Sequence, residues 1–143
     1  MIKFIHPTEV LPLRSLVLRN GKAFNQCVFN GDTDFNTFHL GYIVNGQIKC
    51  IASFMPTSNL PTEDKVWQLR GMATHPDFSG KGYGKALVNF SIDHAKQKNI
   101  DYLWCNARAS AVPFYQKLGF LIDSEEFQIP DIGSHFKMKL NLK

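Results

Sequence analysis

The chain has 143 residues, 44% of them apolar, and 16 Lys and Arg against 12 Asp and Glu, for a formal net charge of +4 and a pI near 9.0. That size suits one domain, residues 1–143, with a sizeable core, and is too short for two. No stretch approaches the roughly 18 apolar residues of a membrane span, and the basic residues are scattered, so neither a membrane nor nucleic acid is expected as the main partner.

The start, Met1-Ile2-Lys3-Phe4-Ile5-His6-Pro7, is too short and too soon broken for a signal peptide, so the expected compartment is cytoplasmic. Cys27, Cys50 and Cys105 are odd in number, far apart and set among apolar residues. They read as buried reduced thiols, not as a disulfide framework or a zinc site. The excess positive charge suits a solvated surface or an anionic ligand.

Residues 2–5 read as a short strand, and a helix is expected from Thr8 and Glu9, with Val10, Leu13, Leu16 and Val17 on one face and an end near Asn20-Gly21. Pro12 fits only in its first turn. Residues 22–36 read as irregular and could line a binding site. Residues 38–44 and 47–55 flank Asn45-Gly46, whose residue types satisfy the positive φ values of a type I′ hairpin turn. A loop follows over residues 56–64, then a strand over 66–74 that ends at His75-Pro76-Asp77.

From Gly82 to Lys98, Tyr83, Ala86, Leu87 and Phe90 mark an apolar face, with Lys85, Asn89, Asp93 and Gln97 opposite. Lys96 and Lys98 suit the last turn and Asn99 a left-handed cap. Residues 102–105 read as a parallel strand buried on both faces, 109–118 as a second helix closed by Gly119, and 120–127 and 136–142 as closing strands. The order is α+β, with one parallel crossover in a mostly antiparallel sheet.

Ser79-Gly80-Lys81-Gly82-Tyr83-Gly84-Lys85 opens the long helix. The first N–H groups of a helix lack intrahelical partners and sit at the positive end of its dipole, so such a turn suits a phosphate. Glycines let the backbone close directly on it. A Gly-x-Gly turn alone is a weak signal. Here Leu69-Arg70-Gly71-Met72-Ala73-Thr74-His75-Pro76 precedes it, and Asn106 and then Ala111-x-x-Phe114-Tyr115-x-x-x-Gly119-Phe120 follow.

In type, order and spacing these motifs resemble the GNAT superfamily of acyl-CoA-dependent N-acetyltransferases, over most of the chain. The resemblance implies a twisted, mostly antiparallel sheet with splayed central parallel strands and flanking helices, and transfer of an acetyl group from acetyl-CoA to an amine. It implies that Met72, Ala73 and Thr74 pair with the pantetheine arm and that the amides of Gly80, Lys81, Gly82, Tyr83 and Gly84 hold the pyrophosphate, with charge added by Lys81 and Lys85, which read equally as solvated lysines. Asn106 would contact the pantetheine or its pyrophosphate-proximal end, or else cap the following helix. The family usually starts the turn with Gln or Arg; Ser79 stands here, which keeps the backbone cradle and weakens cofactor binding.

The resemblance places Tyr115 near the cofactor sulfur, where a phenol can protonate the departing thiolate; otherwise it is a core aromatic. His39, His75 and His135 are candidate bases by chemistry, with His75 assigned to the turn. The segments around His39 and His135 and Leu13-Arg14-x-x-Val17-Leu18-Arg19 resemble a bacterial branch of undefined acceptor, which often has Pro where Ser134 stands. Arg19, Arg70 and Arg108 either bind an acidic acceptor or pair with carboxylates, Trp67 and Trp104 read as core, and Asp77 as a turn former.

No cysteine has a nucleophile setting, so direct attack in a ternary complex is expected, with no metal. The acceptor is a small-molecule or peptide amine, and the resemblance allows a homodimer. The alternative is a non-catalytic acyl-CoA sensor. A nucleotide hydrolase would need a hydroxyl where Ala86 follows Lys85.

Overall fold

The computed structural model describes residues 1–57 and 65–143, so residues 58–64 of the expected 56–64 loop lie outside the described residues. Among the described residues eight strands, β1 (Ile2–Ile5), β2 (Phe38–Val44), β3 (Gln47–Pro56), β4 (Val66–Thr74), β5 (Tyr102–Arg108), β6 (Leu121–Ile122), β7 (Phe127–Ile129) and β8 (Gly133–Asn141), follow the order β1-β2-β3-β4-β5-β8-β6, with β7 on β8. The chain divides into two compact units, Met1–Pro56 with Leu69–Ser91, and Thr57–Gln68 with Ile92–Lys143.

In the first unit, β1 (Ile2–Ile5) runs antiparallel to β2 (Phe38–Val44), which turns through Asn45 and Gly46 into β3 (Gln47–Pro56). Asn45 and Gly46 have φ of 50° and 78°, as the type I′ turn requires. Between β1 and β2 the single expected helix is replaced by a 3₁₀ turn (Pro7–Val10), a three-residue α-helical turn, α1 (Leu11–Leu13), and a π turn (Arg14–Leu18).

The start is also earlier than Thr8. The Thr8 N–H donates to His6 Nδ1 at 3.2 Å and the His6 N–H to Glu9 Oε1 at 2.8 Å, a capping box with His as the cap. Because 3₁₀ and π turns depart from 3.6 residues per turn, the expected apolar face slips: Leu16 is 51% exposed, whereas Arg14 and Ser15 are buried. Val10, Leu13, Ile51 and Ala73 form one core cluster here, flanked by Ile5, Leu11, Val17, Leu18 and Ile48. Each Val, Leu or Ile side chain among them, when fully buried, contributes roughly 1.5–3 kcal/mol, and Ala73 less.

Strand β4 (Val66–Thr74) leads through a 3₁₀ turn (Pro76–Phe78) and the glycine turn into α2 (Tyr83–Gln97). Along α2, Leu87, Val88, Ser91 and Ala95 are buried and Lys85, Asn89, Asp93 and Gln97 exposed, the expected amphipathic split. Asn99 takes the left-handed cap at φ 57°.

In the second unit, Val66, Trp67 and Gln68 pair in parallel with Tyr102, Leu103 and Trp104 of β5 (Tyr102–Arg108). β5 then runs antiparallel to β8 (Gly133–Asn141) from Tyr102 opposite Asn141 to Arg108 opposite His135. This strand is longer than expected and alternates: Leu103, Cys105 and Ala107 are buried, Tyr102 and Trp104 half-buried. It is therefore not buried on both faces. A 3₁₀ turn (Ala109–Ala111) and α3 (Val112–Lys117) follow, and Gly119 closes the segment at φ 99°. The expected strand over 120–127 is two pieces, β6 (Leu121–Ile122) and β7 (Phe127–Ile129), because both pair with β8, at Met138–Lys139 and at Gly133–His135.

Candidate active site

Gly80 and Gly82 have φ of 75° and 82°, and a Cβ built on either meets nothing within 4 Å. Among the described residues, the N–H groups of Gly80, Lys81, Gly82, Tyr83, Gly84 and Lys85 have no acceptor, and the first helical bond here runs from Ala86 N–H to Gly82 O at 3.0 Å. Successive free donors on left-handed glycines, at the start of a 15-residue helix, make an anion cradle. Its open side leaves room for a phosphate.

Neighbouring side chains brace this turn. Ser79 Oγ donates to the Pro76 carbonyl at 3.1 Å, and His75 Nδ1 accepts from the Asp77 N–H at 3.1 Å, which gives His75 and Asp77 the turn roles expected of them. Tyr83 stacks on Tyr42 with ring centroids 4.2 Å apart. Lys49 Nζ and Lys81 Nζ lie 4.9 and 5.4 Å from the centre of the Phe78 ring, which concentrates positive charge beside the cradle.

Met72 and Thr74 are half-buried at the end of β4 and Ala73 is buried, with Thr74 Oγ1 3.2 Å from Cys50 Sγ. Just before them, Gly71 leaves the extended region at φ 63°. A Cβ there would stand 3.0 Å from Phe29 Cε2 and 3.1 Å from Arg14 Nε, so conformation and space both demand glycine.

The second unit carries Asn106, Tyr115 and His135. Asn106 is exposed and lies inside β5 opposite Lys137, so it does not cap a helix; Arg108 occupies the cap position of the next turn. Tyr115, on α3, is 5% exposed and packs edge-on against Phe114 and Phe120 at 5.0 and 5.4 Å. His135 is buried in β8, stacked on Phe127, with its Nδ1 2.8 Å from the Gly133 carbonyl. A carbonyl only accepts, so Nδ1 carries the proton and the lone pair of neutral His135 sits on Nε2. Trp104 is half-buried, not core, and its indole N–H donates to Thr57 Oγ1 at 2.8 Å.

His39 is placed differently. It is 2% exposed, its Nε2 donates to the Asp32 carbonyl at 2.9 Å, and its Nδ1 stands 2.6 Å from Ser53 Oγ, which itself accepts from Arg14 at 2.9 Å. The lone pair is thus taken by the Ser53 hydroxyl. Burial pushes the His39 pKa below its ordinary value, outweighing the Asp32 carbonyl and charge. This neutral, doubly bonded imidazole braces the sheet.

The same network contains two residues to which the sequence alone assigns no role, Arg14 and Asp32. Arg14, fully buried, pairs with Asp32 at 2.6 and 2.9 Å and donates to the Cys27 carbonyl at 3.0 Å. Burial alone would raise the Asp32 pKa, but the hydrogen bonds from Arg14 and the Phe29 N–H prevail and hold it below the usual carboxylate value. A signal existed: four residues after Val10 and three before Val17, Arg14 interrupts the apolar stripe of the segment.

All three cysteines are free and buried. Burial pushes the Cys105 thiol up to about 12 and raises Cys50 as well, so neither forms a thiolate readily near neutral pH. No helix among the described residues is long and apolar enough to cross a membrane.

The sequence pattern of the acetyltransferase (GNAT) family matches residues 17–120. The chain is also 34% identical over 143 residues, 99% of its length and 96% of the relative's, to the uncharacterized N-acetyltransferase YitI of Bacillus subtilis (strain 168). The chain belongs to the GNAT family. As a GNAT protein it is an N-acetyltransferase, in a family that uses acetyl-CoA.

Solved GNAT folds agree. Escherichia coli ElaA matches with a TM-score of 0.79 over 97% of both chains at 17% identity. An aminoglycoside 6′-N-acetyltransferase complexed with coenzyme A matches with a TM-score of 0.79 over 100% of this chain and 97% of that one, at 10% identity. At such identities the likeness shows the GNAT fold alone.

Proposed function

We propose that this GNAT enzyme moves an acetyl group from acetyl-CoA to a small-molecule or peptide amine by direct attack in a ternary complex, with Tyr115 as general acid. The observation that carries the reading is the run of unpartnered N–H groups from Gly80 to Lys85, shaped by the left-handed Gly80 and Gly82. It suits the donor's pyrophosphate, with Lys81 and Lys85 exposed beside it. The Ser79 hydroxyl is turned onto the Pro76 carbonyl, so the backbone supplies most of the grip and binding is weaker than with a long polar side chain at that place. Met72, Ala73, Thr74 and Asn106 take the pantetheine arm, by their match to the family motifs.

The amine lone pair attacks the thioester carbonyl carbon, and the nitrogen gives up the proton left in excess by the new C–N bond, which finally restores the Tyr115 phenol. The tetrahedral intermediate collapses by breaking the C–S bond. Sulfur leaves with the electron pair and takes the phenolic proton of Tyr115; a free thiol has a pKa of about 8.5 and a phenol about 10, so the phenol holds its proton at neutral pH. An aliphatic amine must first lose a proton. His135, with its lone pair on Nε2, suits that task better than His39, whose lone pair Ser53 occupies. Three buried thiols, two of them with raised pKa, speak against an acyl-cysteine and suit the reducing cytoplasm.

The test is thiol release from acetyl-CoA across an amine panel, for the native enzyme and Tyr115→Phe, beside calorimetric acetyl-CoA binding. The variant should lose roughly 10- to 10,000-fold in kcat while binding acetyl-CoA almost as before. Unchanged turnover removes Tyr115 from the mechanism. Tight binding of acetyl-CoA with no turnover of any amine would instead support an acyl-CoA sensor.

A further inference from the structure

We propose that Arg19 and Arg70, gathered with Arg14 on the ring of Phe29, bind a carboxylate carried by the acceptor, so that the enzyme favours amines bearing an acid group. This rests on the acetyl-transfer reading above and adds a substrate class to it. The guanidinium carbons of Arg14, Arg70 and Arg19 lie 3.7, 4.5 and 5.2 Å from the centre of the Phe29 ring. Three cations thus share one aromatic ring.

Among the described residues, Arg14 alone of the three has a carboxylate partner. Arg14 spends its terminal nitrogens on Asp32, Ser53 and the Cys27 carbonyl. Arg70 Nη1 has a long bond of 3.4 Å to the Asn30 carbonyl and a 3.8 Å contact with Met55 Sδ, and Arg19 Nη1 donates to the Leu18 carbonyl at 3.0 Å. Among the described residues neither Arg19 nor Arg70 has a carboxylate at ion-pair distance. A guanidinium has five N–H donors in a fork that matches a carboxylate, so most of the donors remain for a ligand or water.

Holding these cations together is costly. Arg70 is half-buried, and burial followed by the charge of Arg14 pushes its pKa down, with Asp32 opposing. The negative face of the Phe29 ring offsets part of that repulsion, and a ligand carboxylate would offset much more. The cluster also lies close over the next residue: a Cβ on Gly71 would stand 3.0 Å from Phe29 Cε2 and 3.1 Å from Arg14 Nε. Arg70 lies two residues before Met72 on β4, the strand whose end is assigned to the donor arm.

Thiol release should be compared for matched amines that differ in the acid group, phenylalanine with phenethylamine and lysine with cadaverine. The acid-bearing member should have the higher kcat/KM by at least about tenfold, the scale of a charged hydrogen-bonded contact. Arg70→Gln and Arg19→Gln should abolish that preference through KM, leave kcat and the KM for acetyl-CoA near native values, and Arg70→Lys should restore part of it. Equal use of both members, or a preference that survives both substitutions, overturns the inference.

Arg19→Gln keeps the test decisive if Arg70→Gln misfolds. If no amine of either kind reacts, the acetyl-transfer reading fails. Calorimetric binding of the two amino acids then decides the inference separately: binding that Arg19→Gln weakens about tenfold supports it, and absent or unchanged binding overturns it.

Discussion

Arg14 grips Asp32 through both terminal nitrogens, at 2.6 and 2.9 Å, with the two side chains 0% and 3% exposed. Breaking such a pair from one side leaves a charge buried without its partner. Asp32→Asn should therefore lose roughly 3–5 kcal/mol of stability in urea denaturation. The carboxylate of native Asp32 titrates below its unfolded value of 3.8, so its contribution is complete above that pH and is lost as pH falls through the lower folded value. Asp32→Asn should lack this part of the acid loss; an identical acid profile would contradict the pairing.

His39 gives a second pH dependence, at milder acidity. Its folded pKa lies below the ordinary 6.5, so above 6.5 it is neutral in both states and its contribution is complete. As pH falls from there toward the folded value, the unfolded chain takes a proton that the folded chain refuses, and stability declines. The urea midpoint should drop between about pH 7.5 and 5.5, and by less in His39→Gln.

Two kinds of left-handed glycine should separate in stability measurements. Gly46 has open space around a built Cβ, so Gly46→Ala should cost only the strain of positive φ, about 1–2 kcal/mol. Gly71→Ala adds a collision with Phe29 and Arg14 and should cost roughly 2–4 kcal/mol. At the cradle, Gly82→Val should abolish acetyl-CoA binding in calorimetry while leaving a cooperative thermal transition.

With its thiol raised to about 12, Cys105 should resist alkylation by iodoacetamide in the folded protein and react on denaturation. Cys105→Ala should retain turnover, and no acetyl group should be trapped on any cysteine by mass spectrometry. A trapped acyl-cysteine would replace direct attack with a two-step mechanism.

Local patterns were legible wherever neighbouring residues settle the structure. The Asn45-Gly46 hairpin, the amphipathic α2 and the left-handed cap at Asn99 each depend on residues within a few positions, and each stands as read. The first helical segment is not legible from a 3.6-residue period, which puts Leu16 inside, because its turns are 3₁₀ and π and bury Arg14 instead. The expected single strand over 120–127 is two strands because two separate stretches of β8 pair with β6 and β7, a long-range pairing that no local pattern shows.

By itself the sequence determined the α+β order, the glycine turn ahead of a long helix and, through its spaced motifs, the GNAT family, because these rest on short-range chemistry and on residue types in order. Tertiary structure decided what long-range partners decide: that Asn106 sits inside a strand and that His39 is spent on Ser53 and Asp32. It also decided that Arg14, Arg19 and Arg70, drawn from two distant segments, meet on Phe29. No period or motif encodes such a meeting, since Phe29, Arg70 and the Arg14–Arg19 segment are brought together only by the tertiary fold.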